Sequence, residues 1–325
     1  MNYKSFDELS ADIKKNLPKI HDGEYDLVVG IPRSGMVPAY MISLYLNVSV
    51  TDFDGFLENR VLKNGDTRKS KSCSIYPHEA NRVLLVDDSI LSGKSLKKAL
   101  NNVPEKMTGK VTTLAIYGNR AKRNDVDLIL EVVRSPRIFE WNIFHRELLN
   151  KACVDIDGVL CIDPTDKEND DGDNYKAFLL NAKPYIIPTY RIHSLVTSRL
   201  EKYRKETEQW LKMHGILYDN LIMLDLPSKE ERLKKRAHAT HKASYFKSSN
   251  ELEIFIESDF QQSLSINKIS NKPVYCMDKN VMVRDSSLVG SIKNPSYFSK
   301  RLKLAISSRL PYSFKRILKR ILQKV

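Results

Sequence analysis

The sequence contains few cysteines, and they are far apart. Cys73, Cys153, Cys161 and Cys276 are the only four in 325 residues, and no two form a C-x-x-C pair. Structural zinc sites and disulfide frameworks both require several cysteines at suitable spacings. We therefore expect neither in this protein.

Long apolar segments are missing as well. No stretch approaches the roughly 18 apolar residues that a membrane-spanning helix needs. The first sixteen residues include three acidic side chains and lack the apolar core of a secretory signal. Together these absences predict a cytoplasmic protein.

Acidic residues are absent from the end of the chain. None follows Asp285, whereas ten Lys and Arg residues do, out of a formal net charge of +13. The first 285 residues carry a net charge of only +3. The positive charge therefore belongs to a tail, residues 286–325, and it does not indicate nucleic-acid binding by the rest of the chain.

Predicted strands and helices alternate in two series. The first has strands at 26–30, 82–86 and 111–117 with helices at 37–46 and 95–100, and the second has strands at 152–156, 192–196, 221–224, 252–256 and 274–277 with a helix at 199–214. Such alternation predicts parallel strands joined by helices. The predicted fold class is α/β, with two doubly wound parallel-sheet domains at residues 1–148 and 149–285. Residues 136–145 could belong to either domain.

The segment Val83–Ser95 (VLLVDDSILSGKS) joins a buried strand to a helix. Two carboxylates, Asp87 and Asp88, precede a loop of small residues, and the N–H groups at the start of the following helix favour an anion. The end of this segment is similar to a P-loop, but Asp88 stands where the P-loop needs glycine. The pattern predicts a sugar-phosphate site and excludes a nucleoside triphosphate site.

This segment resembles the signature of type I phosphoribosyltransferases for phosphoribosyl pyrophosphate (PRPP). The resemblance implies that Asp87 and Asp88 bind the ribose hydroxyls. It implies that the loop holds the 5-phosphate with Leu91, Ser92, Gly93, Lys94 and Ser95. Leu91 and Lys94 stand where the family often has Thr and Gly. The alternative is an ordinary strand-to-helix turn with two solvated aspartates.

A second segment, Val28–Met36 (VVGIPRSGM), also joins a strand to a turn. It resembles the pyrophosphate loop of the same family. The resemblance implies that Arg33 binds the leaving pyrophosphate, while backbone N–H groups near Ser34 and Gly35 add donors. It also implies that Mg²⁺ stabilises the departing pyrophosphate together with Arg33.

Residues 60–71 (RVLKNGDTRKSK), between these two motifs, are basic and rich in turn-forming residues. In the family, a segment at this place closes over the substrate, so Arg68, Lys69 and Lys71 are candidates for contacts to the transition state. A charged surface loop would have the same composition. Both interpretations stay open.

Two aspartates two residues apart follow the first strand of the second series. Asp155 and Asp157 lie in Ala152–Leu160 (ACVDIDGVL), where both can reach the loop side of a sheet. The segment resembles motif I of the haloacid-dehalogenase-like (HAD) phosphatases. The resemblance implies that Asp155 is the nucleophile that forms an aspartyl-phosphate and that Asp157 is the general acid and base.

Further HAD motifs follow in the family's order. The resemblance implies that Thr197 binds the phosphate and that Lys242, with Lys247 as the alternative, offsets its charge. Mg²⁺ would be held by Asp155, Asp157, Glu257 and Asp259. Which of Glu257 and Asp259 contacts the metal directly stays open. Residues 166–173 are rich in Asp and Glu, and their spacing favours a solvated loop over a calcium site.

The tail predicts a basic amphipathic helix. Its apolar residues have helical spacing and are Phe314, Ile317, Leu318, Ile321, Leu322 and Val325. Basic helices of this kind lie on anionic membrane surfaces, which would place the protein at the inner face of the cytoplasmic membrane. The alternative is a helix that packs on the protein's own core.

Three classes of function fit these motifs. The favoured one resembles two-step ribofuranosylation in bacterial polysaccharide synthesis. In it, the chain transfers ribofuranose 5-phosphate from PRPP to a glycan acceptor that is lipid-linked, and then removes the 5-phosphate from the phosphoribosyl-glycan. The second is a nucleobase phosphoribosyltransferase fused to a 5′-nucleotidase. The third is a non-catalytic regulator that keeps the PRPP fold.

Overall fold

The computed structural model describes residues 1–63, 65, 74–234 and 237–285. The predicted substrate-loop residues Arg68, Lys69 and Lys71 and the tail, residues 286–325, lie outside the described residues. The chain divides into two compact units between Trp141 and Asn142. The domain boundary near residue 149 stays a prediction. No helix within the described ranges is long and apolar enough to cross a membrane.

The first unit is built on a five-stranded parallel sheet. Its elements are β1 (Asn2–Lys4), α1 (Phe6–His21), β2 (Leu27–Gly30), α2 (Met36–Leu46), β3 (Ser49–Asp52), α3 (Phe53–Leu57), β4 (Val83–Ile90), α4 (Lys94–Leu100), α5 (Glu105–Thr108), β5 (Val111–Gly118), β6 (Leu128–Val132) and β7 (Arg137–Phe139). The strand order is β3-β2-β4-β5-β6, and β1 pairs with β7 in a separate two-stranded sheet. The predicted parallel α/β architecture is confirmed for this unit.

Strand β4 is longer than the sequence pattern predicts. Its apolar run ends at Val86, but pairing with β5 continues through Asp87, Ser89 and Ile90. The polar residues end the hydrophobic signal without ending the hydrogen-bond ladder, because β5 supplies partners as far as Gly118. Asp87 and Asp88 therefore lie inside the strand, where a ladder fixes their backbone.

The turn between β2 and α2 depends on a glycine that packs against β4. A Cβ atom on Gly35 would lie 2.6 Å from the carbonyl oxygen of Ile31 and 2.7 Å from that of Val86. Real Cβ atoms do not approach backbone oxygens so closely. Because both obstacles are backbone atoms, no side-chain rearrangement makes room, and the turn reaches the central strand only with glycine here.

The second unit contains a six-stranded sheet. Its elements are β8 (Ala152–Val154), α6 (Asp173–Asn181), β9 (Ile192–Leu200), α7 (Arg204–Met213), β10 (Tyr218–Leu224), α8 (Lys229–Lys234), α9 (Ala237–Ser248), β11 (Ile254–Glu257), α10 (Phe260–Ser270), β12 (Val274–Cys276) and β13 (Val281–Val283). The strand order is β10-β9-β8-β11-β12-β13. Five strands are parallel, as predicted, but β13 is antiparallel to β12, so the sheet is mixed.

One local prediction in this unit is wrong. The helix predicted at 199–214 begins at Arg204, because β9 continues to Leu200, which pairs with Leu224 of β10. The acidic segment at 166–173 is irregular up to Gly172, and Asp166, Asp170 and Asp173 are exposed, as expected for a solvated loop. Asp171 accepts hydrogen bonds from the Tyr203 hydroxyl (2.9 Å) and the Lys229 backbone N–H (3.1 Å), so neighbouring donors hold it in place.

Substituting Gly35 with alanine should destabilise the first unit. The added methyl group meets two backbone oxygens, and overpacking of this kind typically costs about 1–3 kcal/mol. The measurement is urea denaturation followed by circular dichroism. Gly109→Ala is the matched control, because a Cβ atom there meets nothing within 4 Å and its φ is −74°. Equal stability of the two variants would contradict the packing argument.

Candidate functional sites

The predicted phosphate loop lies between β4 and α4, and the side chains of Arg123 and Asp125 contact it on one side. Gly93 has φ 77°, in the left-handed region that favours glycine. The Arg123 side chain donates from Nη1 to the carbonyl oxygen of Leu91 (2.7 Å). Arg123 also forms a two-pronged ion pair with Asp125, with both N–O distances 2.7 Å. The Asp125 carboxylate lies 2.3 Å from where a Cβ atom on Gly93 would be.

The contacts with Arg123 and Asp125 leave most side chains of the loop exposed to solvent. The side chains of Leu91, Ser92, Lys94 and Ser95 are exposed. Because Arg123 bonds to a loop carbonyl, the loop conformation is set without using the exposed groups that a phosphate would contact. Sequence reasoning missed Arg123 and Asp125, since they lie in an irregular segment with no recognisable motif.

Asp87 and Asp88 have different surroundings. Asp88 is only 5% exposed, and each of its carboxylate oxygens accepts a hydrogen bond. The donors are the Ser34 hydroxyl, 2.8 Å from Oδ1, and the Trp141 indole Nε1, 2.7 Å from Oδ2. The structure thus brings together two motifs that the sequence predicted separately. Arg33 lies next to Ser34 in the same turn and is exposed.

Trp141 is a second residue that the sequence did not single out. Its ring stacks on Phe139 with centroids 5.0 Å apart, and Phe139 stacks on Tyr117. Nearby, buried Arg137 donates to the carbonyl oxygen of Ile90 (2.8 Å) at the end of β4. The segment after β6 therefore supports the carboxyl end of β4, which is why residues 136–141 belong with the first unit.

Burial raises the pKa of Asp87 to about 8, and the charge of neighbouring Asp88 contributes to the increase. At neutral pH the Asp87 carboxyl is therefore mostly protonated without a ligand. The Asp88 backbone N–H, which donates to Asp87 Oδ1 at 2.8 Å, opposes the increase.

The second site centres on Lys242, which lies between two buried carboxylates. Its Nζ is 2.6 Å from Asp155 Oδ2 and 2.7 Å from Glu257 Oε2, and all three side chains are at most 6% exposed. Asp155 follows β8 and Glu257 ends β11, two paired neighbours in the sheet. The two carboxylates raise the pKa of Lys242 although burial lowers it, so the ammonium stays charged. Burial raises the pKa of Asp155 against the effect of Lys242.

Asp157 does not share this network and pairs instead with Arg199. The arginine Nη2 lies 2.7 Å from Asp157 Oδ1, its Nε lies 3.1 Å from Oδ2, and its side chain is fully buried. Burial raises the pKa of Asp157, but the charge and hydrogen bonds of Arg199 outweigh that effect and lower it. Sequence reasoning missed Arg199 because the residue was assigned to a helix.

Thr197 and Arg199 lie at an irregularity in β9. Pairing with β10 passes from Val196 opposite Ile222 to Leu200 opposite Leu224, so β9 contains two extra residues between these pairs. Irregularities of this kind redirect side chains and are frequent next to active sites. Thr197 is fully buried, and its Oγ1 accepts from the Arg199 backbone N–H (3.2 Å).

A cavity of about 530 Å³ adjoins the second site, and its walls include Gly158, Asp163, Ser258, Asp259 and Asp278. Asp259 also caps α10, because its Oδ1 accepts from the Gln262 backbone N–H (2.7 Å). Of the two predicted metal ligands in this segment, Asp259 therefore faces the cavity, whereas Glu257 is buried against Lys242.

Carboxylate oxygens are the type of ligand that Mg²⁺ prefers. In this arrangement, however, the predicted ligands do not face one common metal position. Lys242 separates Asp155 from Glu257, and Arg199 pairs with Asp157. In the part of the chain that the structure describes, no three His, Cys, Asp or Glu side chains are placed to hold one metal ion. The metal assignment stays a prediction.

Asp87→Asn should change how stability depends on pH. The folded protein holds a proton on Asp87 up to about pH 8, whereas the ordinary value of 3.8 applies when the chain is unfolded. Between these values the folded state binds more protons, so the free energy of unfolding of the natural protein falls as pH rises. The variant should gain stability relative to it across that window in urea denaturation without PRPP. Asp54→Asn, at an exposed position, is the control and should leave the pH dependence of the free energy of unfolding unchanged. If the pH dependence for Asp87→Asn ran parallel to that of the natural protein, the raised pKa of Asp87 would be contradicted.

Comparisons with known proteins bear on the first unit. Residues 2–149 match the family model described as phosphoribosyl transferase domain. The search of curated proteins found no match.

Solved structures with some likeness include a purine phosphoribosyltransferase from Pyrococcus horikoshii Ot3, at 18% identity and TM-score 0.31, covering 43% of this chain and 92% of that one. The Helicobacter pylori xanthine-guanine-hypoxanthine phosphoribosyltransferase has 19% identity and TM-score 0.33, covering 44% and 92%. A chain of the Pnkp1/Rnl/Hen1 complex has 16% identity and TM-score 0.27, covering 77% and 94%. TM-scores this low support no conclusion about this chain. The match to the family model covers residues 2–149, so the first unit is similar in sequence to phosphoribosyl transferase domains.

Proposed function

We propose that the chain is a bifunctional enzyme that transfers ribofuranose 5-phosphate from PRPP to a glycan hydroxyl and then removes the 5-phosphate. The observation that carries this proposal is the combination of a phosphoribosyl transferase domain with a second site in which buried Asp155 lies 2.6 Å from Lys242. PRPP enters with Mg²⁺ as its substrate complex, in keeping with the resemblance to type I enzymes.

In the first step, the acceptor hydroxyl attacks C1 of the ribose. The bond from C1 to pyrophosphate breaks, pyrophosphate leaves with the bonding electrons, and the hydroxyl proton passes to water. The exposed loop residues from Leu91 to Ser95 would hold the 5-phosphate, Asp87 would face the ribose hydroxyls, and exposed Arg33 would bind pyrophosphate. Asp88 is already bonded to Ser34 and Trp141, so its part is to align the pyrophosphate turn with β4.

In the second step, Asp155 attacks the phosphorus of the 5-phosphate. The ribose oxygen leaves and takes a proton from solvent, and water then hydrolyses the aspartyl-phosphate to release phosphate. Strand order β10-β9-β8-β11 supports this proposal, because adjacent parallel strands carry Thr197, Asp155 and Glu257. Asp157 would take the proton of the attacking water, since Arg199 keeps it ionised. Its predicted role as general acid is disfavoured by the same pairing.

The combination of activities favours a glycan acceptor. A salvage enzyme that made a nucleotide and dephosphorylated it in the same chain would undo its own product, whereas a phosphoribosyl-glycan that loses its phosphate is a finished product. We propose a lipid-linked acceptor at the inner face of the cytoplasmic membrane, approached through the basic tail at residues 286–325. A nucleobase acceptor is the alternative that the tests below distinguish.

Asp155→Asn should stop the reaction at the phosphorylated intermediate. A carboxamide cannot attack phosphorus, so PRPP-dependent transfer continues while the phosphate stays on the product. Mass spectrometry of the glycan should show an added ribose that retains its phosphate. Fully dephosphorylated product from this variant would rule out Asp155 as the nucleophile.

The reciprocal control is the double variant Asp87→Asn, Asp88→Asn. It should lose transfer from PRPP while the second site still dephosphorylates a supplied phosphoribosyl-glycan. If the folded double variant lost both activities, the two-site proposal would fail. Transfer to purines or pyrimidines without transfer to glycans would support the alternative function.

Removing residues 298–325 should release the protein from anionic vesicles. Each Lys or Arg near an anionic surface contributes about 1 kcal/mol, and the apolar residues add to the attraction. Turnover of a lipid-linked acceptor should slow, while a soluble acceptor analogue is processed at the same rate. Sedimentation with vesicles at low and high salt measures the binding. Undiminished vesicle binding by the shortened chain would show that the tail is not the anchor.

A further inference from the structure

Arg232 of α8 is a buried cation. Arg232 is 8% exposed, and its Nη1 donates a hydrogen bond to the backbone carbonyl oxygen of Ser198 at 2.9 Å. Its Nε is buried and has no hydrogen-bond partner, and no carboxylate forms an ion pair with it, within the described residues. One carbonyl oxygen is a poor substitute for the hydration that a guanidinium loses on burial.

A second unsatisfied donor belongs to the residue that Arg232 contacts. The Ser198 hydroxyl is buried and likewise has no partner among the residues described. Ser198 lies between Thr197 and Arg199 at the irregular end of β9, where pairing with β10 shifts. Two buried donors therefore occur on two residues joined by a hydrogen bond, and both need an acceptor.

The other buried cations of the second unit are neutralised. Arg199 pairs with Asp157, and Lys242 pairs with Asp155 and Glu257. An uncompensated buried charge strongly destabilises a fold, so a protein keeps one where a ligand supplies the opposite charge. Arg232 differs from Arg199 and Lys242 in this respect, although all three belong to the same unit.

The position of this pair links it to the proposed phosphatase site. Ser198 follows Thr197, and β9 is the direct neighbour of β8, which Asp155 follows. His238 lies within electrostatic range of both cations. Burial, together with the charges of Arg232 and Lys242, lowers the pKa of His238 to about 4. The neutral imidazole adds no charge that would compete for an anion.

We propose that Arg232 and Ser198 form an anion subsite that accepts phosphoryl oxygens of the phosphomonoester bound at Asp155. The Nε–H of a guanidinium and a serine hydroxyl are both donors, and phosphate oxygens are acceptors that also supply the missing negative charge. The inference rests on the proposed phosphatase function and adds to it a substrate-binding residue outside the motifs that the sequence identified.

The first test is thermal unfolding of the full chain with and without inorganic phosphate. Phosphate should raise the melting temperature of the natural protein and of Asp155→Asn, but not that of Arg232→Gln. Without phosphate, Arg232→Gln should melt at the same temperature as the natural protein or higher, because the substitution removes an unpaired buried charge. If Arg232→Gln is unfolded without phosphate, or keeps the full phosphate-dependent shift, the inference is wrong.

Matched variants separate this role from general effects of charge. Arg204→Gln also removes an arginine of the second unit, but Arg204 pairs with Glu201 and Glu208 at the surface, so its phosphate response should be unchanged. Arg232→Lys keeps the charge but loses the guanidinium geometry and should keep part of the response. Loss of the response in Arg204→Gln as well would overturn the assignment.

Steady-state kinetics distinguish this inference from the proposed function. With a phosphomonoester such as ribose 5-phosphate, Arg232→Gln should raise KM by about tenfold or more, with a smaller change in kcat, because a hydrogen bond to a charged group contributes on that order. Turnover by the natural protein with an unchanged KM in Arg232→Gln would refute the inference and leave the phosphatase proposal intact. A phosphate-dependent melting shift that needs Arg232, without turnover of any phosphomonoester, would refute the phosphatase proposal and leave the subsite intact.

Discussion

The ammonium group of Lys242 holds two carboxylates together in an interior from which water is excluded. Asp155 and Glu257 come from neighbouring strands, and without a cation between them their repulsion and their burial would both oppose folding. With Lys242 in place, the carboxylates fix α9 against the carboxyl ends of β8 and β11. The geometry of the second site therefore depends on this one ion triplet.

The first unit stabilises its buried acid by a different means. Among the residues that the structure describes, no cation forms an ion pair with Asp88, which instead accepts neutral hydrogen bonds from Ser34 and Trp141. These hydrogen bonds connect the turn after β2, strand β4 and the aromatic stack, so the carboxylate has a structural role. Asp87, beside it, keeps a raised pKa because burial is not offset by a cation. The two units thus retain acidic groups at the ends of parallel strands by different physical means.

The sequence predicts what is periodic or local. The apolar run before Asp87, the glycine turn after it, and the alternation of strands and helices are all readable from neighbouring residues, and the structure has them. Arg123, Trp141 and Arg199 were not identified, because each acts on a residue at least 32 positions away, which no local pattern reveals.

The Arg123–Asp125 pair implies that the conformation of the phosphate loop depends on residues outside the loop. Asp125 fills the space next to Gly93, and Arg123 holds the carbonyl oxygen of Leu91 from a segment some thirty residues downstream. Transplanting residues 83–95 alone into another scaffold would carry the strand and the glycine but leave behind the side chains that shape the turn. In evolution, the loop and its distant support must therefore change together, so that a new residue at either place is accommodated only when the other changes with it.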